Sequence, residues 1–107
     1  MAATGRIAVA AVCALPVLAF AGHLDEGRQD ELLHLLKHDC GSCHGLTMKG
    51  GLGPPLLPGT LVGKDDTLLI EAILDGRPGT PMPPWRSQLS VDEAAWLVQA
   101  LRAGPPQ

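Results

Sequence analysis

An all-α fold is predicted by three observations. Three segments carry apolar residues at helical spacing, two stretches rich in glycine and proline separate them, and no run alternates apolar with polar residues as a half-buried strand does. The first helix is expected from Asp25 to Asp39: Asp25 can cap it, and Leu32, Leu33, Leu35 and Leu36 form an apolar face that runs directly into Cys40. Gly45 to Lys64 contains Lys49-Gly50-Gly51-Leu52-Gly53-Pro54-Pro55 and reads as a loop. Asp65 or Asp66 can cap a second helix, which turns Leu69, Ala72 and Ile73 inward and stops at Gly76. Arg77 to Leu89 is irregular again, broken by Pro78, Pro81, Pro83 and Pro84. Ser90-Val91-Asp92-Glu93 matches a capping box, in which the serine accepts from the first turn and the glutamate reaches back. Ala94, Leu97, Val98 and Leu101 share one face of this last helix, and Gly104-Pro105-Pro106 ends it.

Residues 1–21 stand outside this plan. Arg6 supplies a positive start, Ile7 to Phe20 an apolar run interrupted by Pro16, and Ala19-Phe20-Ala21 a small-residue cleavage site, the layout of a secretory signal peptide. The apolar run is shorter than the roughly 20 residues that span a bilayer, which weighs against a retained anchor. Cys13 follows Val12 in the middle of the run, where a lipoprotein would need a small residue. Cleavage is expected after Ala21, leaving a single domain over residues 22–107 with no membrane span. It removes one basic residue and no acidic one, so the mature chain is slightly more negative than the −3 of the whole. Such a mildly acidic domain is a poor candidate for nucleic acid, and a monomer is expected.

A chain this small buries little apolar surface and usually needs a staple. Trp85 and Trp96 are its only aromatic residues after Ala21. The loops are too long for a simple bundle unless something fills the space between the helices.

Cys40-Gly41-Ser42-Cys43-His44 names that filler. Two thiols separated by two residues can add across the two vinyl groups of a haem, and the following histidine is then held beneath the iron. Cys40 and Cys43 are therefore the expected covalent attachment sites of one haem c, and His44 its proximal iron ligand. A thioredoxin-like pair would need a βαβ setting, which is absent. A zinc site made from His38, Cys40, Cys43 and His44 would crowd its ligands into too short a stretch to wrap a tetrahedral ion.

Met82 is the favoured second axial ligand. It sits in Gly79-Thr80-Pro81-Met82-Pro83-Pro84-Trp85, where the prolines stiffen the backbone that would hold a thioether against iron. Met48 competes, but from four residues beyond His44 it would need a fully extended chain around the macrocycle edge. His23, His34 and His38 could complete a bis-histidine haem, although His34 and His38 at helical spacing read better as surface or packing residues. The Pro54 carbonyl, with that of Pro55 close behind, is the candidate acceptor for the other ring N–H of His44.

Cys40–His44, Gly53-Pro54, Met82-Pro83 and a last helix bearing Trp96 together resemble a class I cytochrome c, from about Asp30 to Gly104. The resemblance implies helices wrapped around one covalent haem, His44–Met82 ligation, first and last helices packed together, and haem attachment outside the bacterial inner membrane. The chain departs from the pattern at Leu32 and Leu36, where such proteins often carry a glycine and an aromatic. Cys43-His44-Gly45-Leu46-Thr47-Met48-Lys49-Gly50-Gly51-Leu52-Gly53-Pro54 and Gly76-Arg77-Pro78-Gly79-Thr80-Pro81-Met82-Pro83-Pro84-Trp85 are similar to the cytochrome c55X family. Those small periplasmic proteins are encoded beside cytochrome cd1 nitrite reductase in denitrifying bacteria. The likeness implies delivery of single electrons to cytochrome cd1 nitrite reductase, or a redox role in maturing its haem d1.

The chain holds no Ser/His/Asp set, no paired catalytic carboxylates and no open metal site, so the reading is a periplasmic monohaem electron carrier and no enzyme. An open-site haem enzyme and a haem-free thiol or zinc protein are the rival classes. Lys49, Arg77 and Arg86 fall around the attachment site and ligand loops, where a locally basic rim could orient a redox partner protein.

Overall fold

Asp25 opens the helical domain as read from the sequence: its backbone is extended and its carboxylate accepts from the Arg28 N–H at 2.8 Å, starting α1 (Glu26–Leu35). The computed structural model describes residues 2–14 and 23–105; the expected cleavage site, Ala19-Phe20-Ala21, lies outside the described residues. Residues 2–14 adopt neither helix nor strand and leave Ile7, Val9 and Val12 exposed. Among the described residues no helix is long and apolar enough to cross a membrane.

The first helix does not stop at Asp39. It widens into a π-helical turn, Leu36–Cys40, and continues as α2 (Gly41–His44). Nothing between Asp39 and His44 breaks a helix, and the stop comes at Gly45, whose φ of 93° lies in the region glycine tolerates. The whole Cys40–His44 stretch is thus helical, anchored on α1.

The stretch expected to be a loop over 45–64 hides a single helical turn, α3 (Pro58–Leu61), with Pro58 at its first position and Leu61 buried. Four residues are too few to show a period, which is why the pattern missed it. α4 (Asp66–Asp75) follows Asp65, whose side chain makes no capping bond. The Asp66 carboxylate instead receives the Arg102 guanidinium at 2.8 Å and the Gln99 amide at 3.0 Å. Leu69, Ala72 and Ile73 turn partly inward as expected, but the fully buried residue of α4 is Leu74.

α5 (Val91–Ala103) carries both bonds of the capping box: the Glu93 N–H donates to the Ser90 hydroxyl at 3.1 Å, and the Ser90 N–H to the Glu93 carboxylate at 2.9 Å. Its expected apolar face, Ala94, Leu97, Val98 and Leu101, is buried in full. Ala94, Leu97 and Leu101 meet Leu32 of α1, Leu36 of the π-helical turn, Leu61, Leu74, Leu89 and Met48 in one core. α5 packs on α1 and α4, so the first and last helices do meet, and Leu32 and Leu36 share one core with the apolar face of α5. Among the described residues there is no strand. The fold is all-α.

The α1–α5 contact is also bridged by charge. Arg28 reaches across to the largely covered Glu93 carboxylate and pairs with Glu31 at 2.7 Å. The Arg28 hydrogen bond first, and the Ser90 N–H second, hold Glu93 below the ordinary carboxylate range. A carboxylate with a depressed folded pKa contributes stability that is present above its unfolded value, about 4.3 for Glu, and is lost as the pH falls through the folded value. Urea denaturation of wild type and Glu93→Gln should therefore differ most near neutral pH and converge in acid. A constant gap across the range would show that the Arg28–Glu93 pair adds nothing to stability.

Candidate haem site

His44 ends α2, and the loop after it closes over its ring. The Gly53 N–H donates to the Cys43 carbonyl at 2.8 Å, and the Gly50 N–H to that of His44 at 2.8 Å. This brings Gly53 so close that a Cβ there would stand 2.8 Å from both Nδ1 and Cε1 of the imidazole. Only glycine fits. The next residue supplies the expected partner: His44 Nδ1–H donates to the Pro54 carbonyl at 2.8 Å. Because a carbonyl can only accept, that bond fixes the proton on Nδ1 and leaves the Nε2 lone pair free, the form a metal-binding histidine takes.

Met82 arrives from the second proline-rich loop, which is tied to the end of α4. Trp85 and Arg86 donate their N–H groups to the terminal carbonyls of Ile73 and Leu74, each at 3.0 Å, and the Arg77 N–H donates to the Met82 carbonyl at 3.2 Å. At Gly76, with φ of 68°, a Cβ would lie 2.6 Å from that same carbonyl. A turn braced by the Thr80 hydroxyl on the Arg77 carbonyl at 2.7 Å completes the frame. The methionine is held by backbone bonds and proline stiffness together.

The two loops converge with the helices on one apolar cavity of about 30 Å³, lined by Leu36, Cys40, His44, Leu56, Ile73, Met82, Trp85, Leu97 and Leu101. Cys40, His44 and Met82 are thereby brought together. Cys43 is half-buried beside them but does not line the cavity; its sulfur lies 3.9 Å from the Ser42 hydroxyl. Leu56 and Ile73 are wall residues the sequence reading did not single out for the site. Leu56 carried a signal, as an apolar residue in a Gly/Pro-rich stretch.

Burial, and after it the Asp39 charge, push the Cys40 thiol up to about 11. A redox or nucleophilic C-x-x-C cysteine needs the opposite shift, so a thioredoxin-like role does not suit it. Among the described residues no group of three or more His, Cys, Asp or Glu could hold a metal ion, which leaves the zinc alternative without a site. The donors present are a neutral thiol, a free imidazole nitrogen and a thioether in an apolar wall. In their chemistry they suit the iron and the apolar macrocycle of a haem.

The competing residues lie elsewhere. Met48 is buried in the core, with its N–H donating to the Gly45 carbonyl and its own carbonyl accepting from Leu56, each at 2.9 Å. His34 and His38 stack on each other along a different cavity, and His23 is exposed. Of the expected basic rim, Lys49 and Arg77 are exposed, whereas Arg86 is spent on a two-pronged pair with Asp75 at 2.8 and 3.0 Å.

Residues 27–99 match the family described as cytochrome C oxidase, cbb3-type, subunit III. The chain is 53% identical to cytochrome c55X of Pseudomonas aeruginosa over 92% of its own length and 82% of the relative's. It superposes on the solved c-type cytochrome NirC with a TM-score of 0.73 at 55% identity, covering 75% of this chain and 94% of that one. It also matches dihydro-heme d1 dehydrogenase NirN, solved in complex with DHE, with a TM-score of 0.62 at 39% identity, over 69% of this chain but 16% of that one. With the cavity, the C-x-x-C-H helix and the all-α frame, these likenesses show that the chain belongs to the cytochrome c55X family, monohaem class I c-type cytochromes that carry electrons on a covalently bound haem c.

Proposed function

We propose that this chain is exported to the periplasm, loses residues 1–21, and carries single electrons to cytochrome cd1 nitrite reductase. The observation that carries the reading is the meeting of Cys40, His44 and Met82 on one apolar cavity, with His44 oriented by Pro54. Cys40 and Cys43 would hold the haem through thioether links, and His44 Nε2 and the Met82 sulfur would be the ligands to its iron. The haem supplies a one-electron couple. Gly53 and Pro54 hold the His44 ring in one orientation and one tautomer, and the α4-tethered loop keeps Met82 in reach without an ordering cost. Leu36, Leu56, Leu97 and Leu101 keep water from the iron. With His44 and Met82 both serving as iron ligands, substrate would find no open position, which is the chemistry of a carrier. A second reading, a redox role in haem d1 maturation, draws support from the likeness to the dihydro-heme d1 dehydrogenase.

Three experiments test these assignments. The intact mass of protein exported from a haem-attaching host should exceed that of residues 22–107 by one haem. Colour that extracts into acidified organic solvent would mean that no covalent link exists. For ligation, the ferric protein should show the weak far-red sulfur-to-iron band, lost in Met82→Ala and kept in Met48→Ala. The reverse pattern reassigns the ligand, and avid carbon monoxide binding by wild type at neutral pH would point to an open-site enzyme.

Docking is tested with the exposed cations left free of the Asp75 pair. Lys49→Glu with Arg77→Glu should slow stopped-flow reduction of purified cytochrome cd1 nitrite reductase at low ionic strength, and the gap should close as salt screens it beyond about 10 Å. Equal rates at low salt would remove the steering role. Absence of any transfer would move the assignment to haem d1 maturation.

A further inference from the structure

His34 and His38 take no part in the site described above. Both are exposed, and they border a second cavity of about 360 Å³ whose apolar wall includes Leu33, Leu46 and Met48. Their rings stand with centroids 4.3 Å apart and planes inclined by 45°. The π-helical turn explains the closeness. An α-helix advances roughly 100° per residue, so a residue four positions on lies one turn along the same face, offset by about 40°. The wider turn Leu36–Cys40 rotates less per residue, and His38 comes back almost over His34. Such turns are rare and are found frequently at functional sites.

We propose that His34 and His38 form a chelating site for a divalent transition-metal ion, Cu(II) or Zn(II), on the outer face of this helix. Neutral imidazole is the commonest protein ligand for such ions, and two histidines four apart on one helical face are a recurring metal-binding arrangement. A metal bonded at about 2.0–2.1 Å to one nitrogen of each ring, at a tetrahedral or square-planar angle, would set the two centroids about 4.5–5 Å apart. The observed separation is already close to that, so the rings need only a small opening to take the ion.

Two protein ligands do not make a closed structural site. Among the described residues no third His, Cys, Asp or Glu completes the cluster, so water fills the remaining positions and the ion exchanges with solvent. Lys37 borders the same cavity, but it is exposed, and its flexible stem lets the ammonium swing clear. The Irving–Williams order places Cu(II) above Zn(II) at a nitrogen site of this kind.

The test uses the haem-loaded ferric protein, titrated calorimetrically with Cu(II) and separately with Zn(II) in a non-coordinating buffer. One equivalent should bind, Cu(II) more tightly than Zn(II). His34→Ala and His38→Ala should each weaken binding by at least about tenfold, because the second ligand of a chelate acts at high effective concentration. Both positions are exposed, so an unchanged haem absorption spectrum is expected and verifies that the variants are folded. His23→Ala, which alters the other exposed histidine, should bind as wild type does. Wild-type affinity in both the His34 and His38 variants, or a loss confined to His23→Ala, would overturn the site.

Discussion

The packing of α5 against α1 and the turn that follows it builds the core and one wall of the candidate haem site. Leu32 and Leu36 from one helix and Ala94, Leu97 and Leu101 from the other are buried in a common core. Leu36, Leu97 and Leu101 also line the cavity that holds Cys40, His44 and Met82. Because α1 runs through the π-helical turn into α2, this junction places the C-x-x-C-H stretch, and the Gly50 and Gly53 N–H groups then tie its last two carbonyls to the following loop. Truncating a leucine of this kind to alanine typically costs 2–5 kcal/mol. Here the loss would fall on the wall of the site as well as on the core.

The two loops do a different job, and they do it by close backbone approach. Gly53 allows the chain to pass against the His44 imidazole, and Gly76 allows α4 to end against the Met82 carbonyl. In each case a side chain would occupy the space that brings the functional group into place. Prolines then remove the freedom that glycines add: Pro54 offers its carbonyl to His44, and Pro81 and Pro83 flank Met82. A chain with few aromatics and little core can thus hold two distant side chains on one cavity.

Charge is spent largely inside the fold. Arg28 joins α1 to α5, Arg102 joins α5 to Asp66 at the head of α4, and Arg86 ties the Met82 loop to Asp75 at the foot of α4. Arg102 also donates to the Leu61 carbonyl at 3.0 Å, alongside the Lys64 N–H at 3.2 Å. Lys49 and Arg77 remain as exposed cations on the loops that frame the site. The surface available for steering is narrower than the residue types alone imply.

Neighbouring residues alone make legible the helices that have a period or a cap to read and the haem motif, and they point to Met82, which lines the cavity with His44. Those features are local: the capping box at Ser90, the apolar face of α5 and the C-x-x-C-H spacing each need only neighbouring residues. Even the Pro54 carbonyl was legible, because a metal-binding histidine needs an acceptor and the chain after His44 is short and stiff. Tertiary structure alone decided that the first helix continues through a wide turn to His44, that Leu74 is the buried residue of α4, and that Asp66 answers Arg102 instead of serving as a simple cap. It alone showed Leu56 and Ile73 in the cavity wall and removed Arg86 from the basic rim. Each of these depends on what a residue meets from a distant part of the chain. Hydrophobic periodicity and spacing carry no information about such partners until the helices have packed.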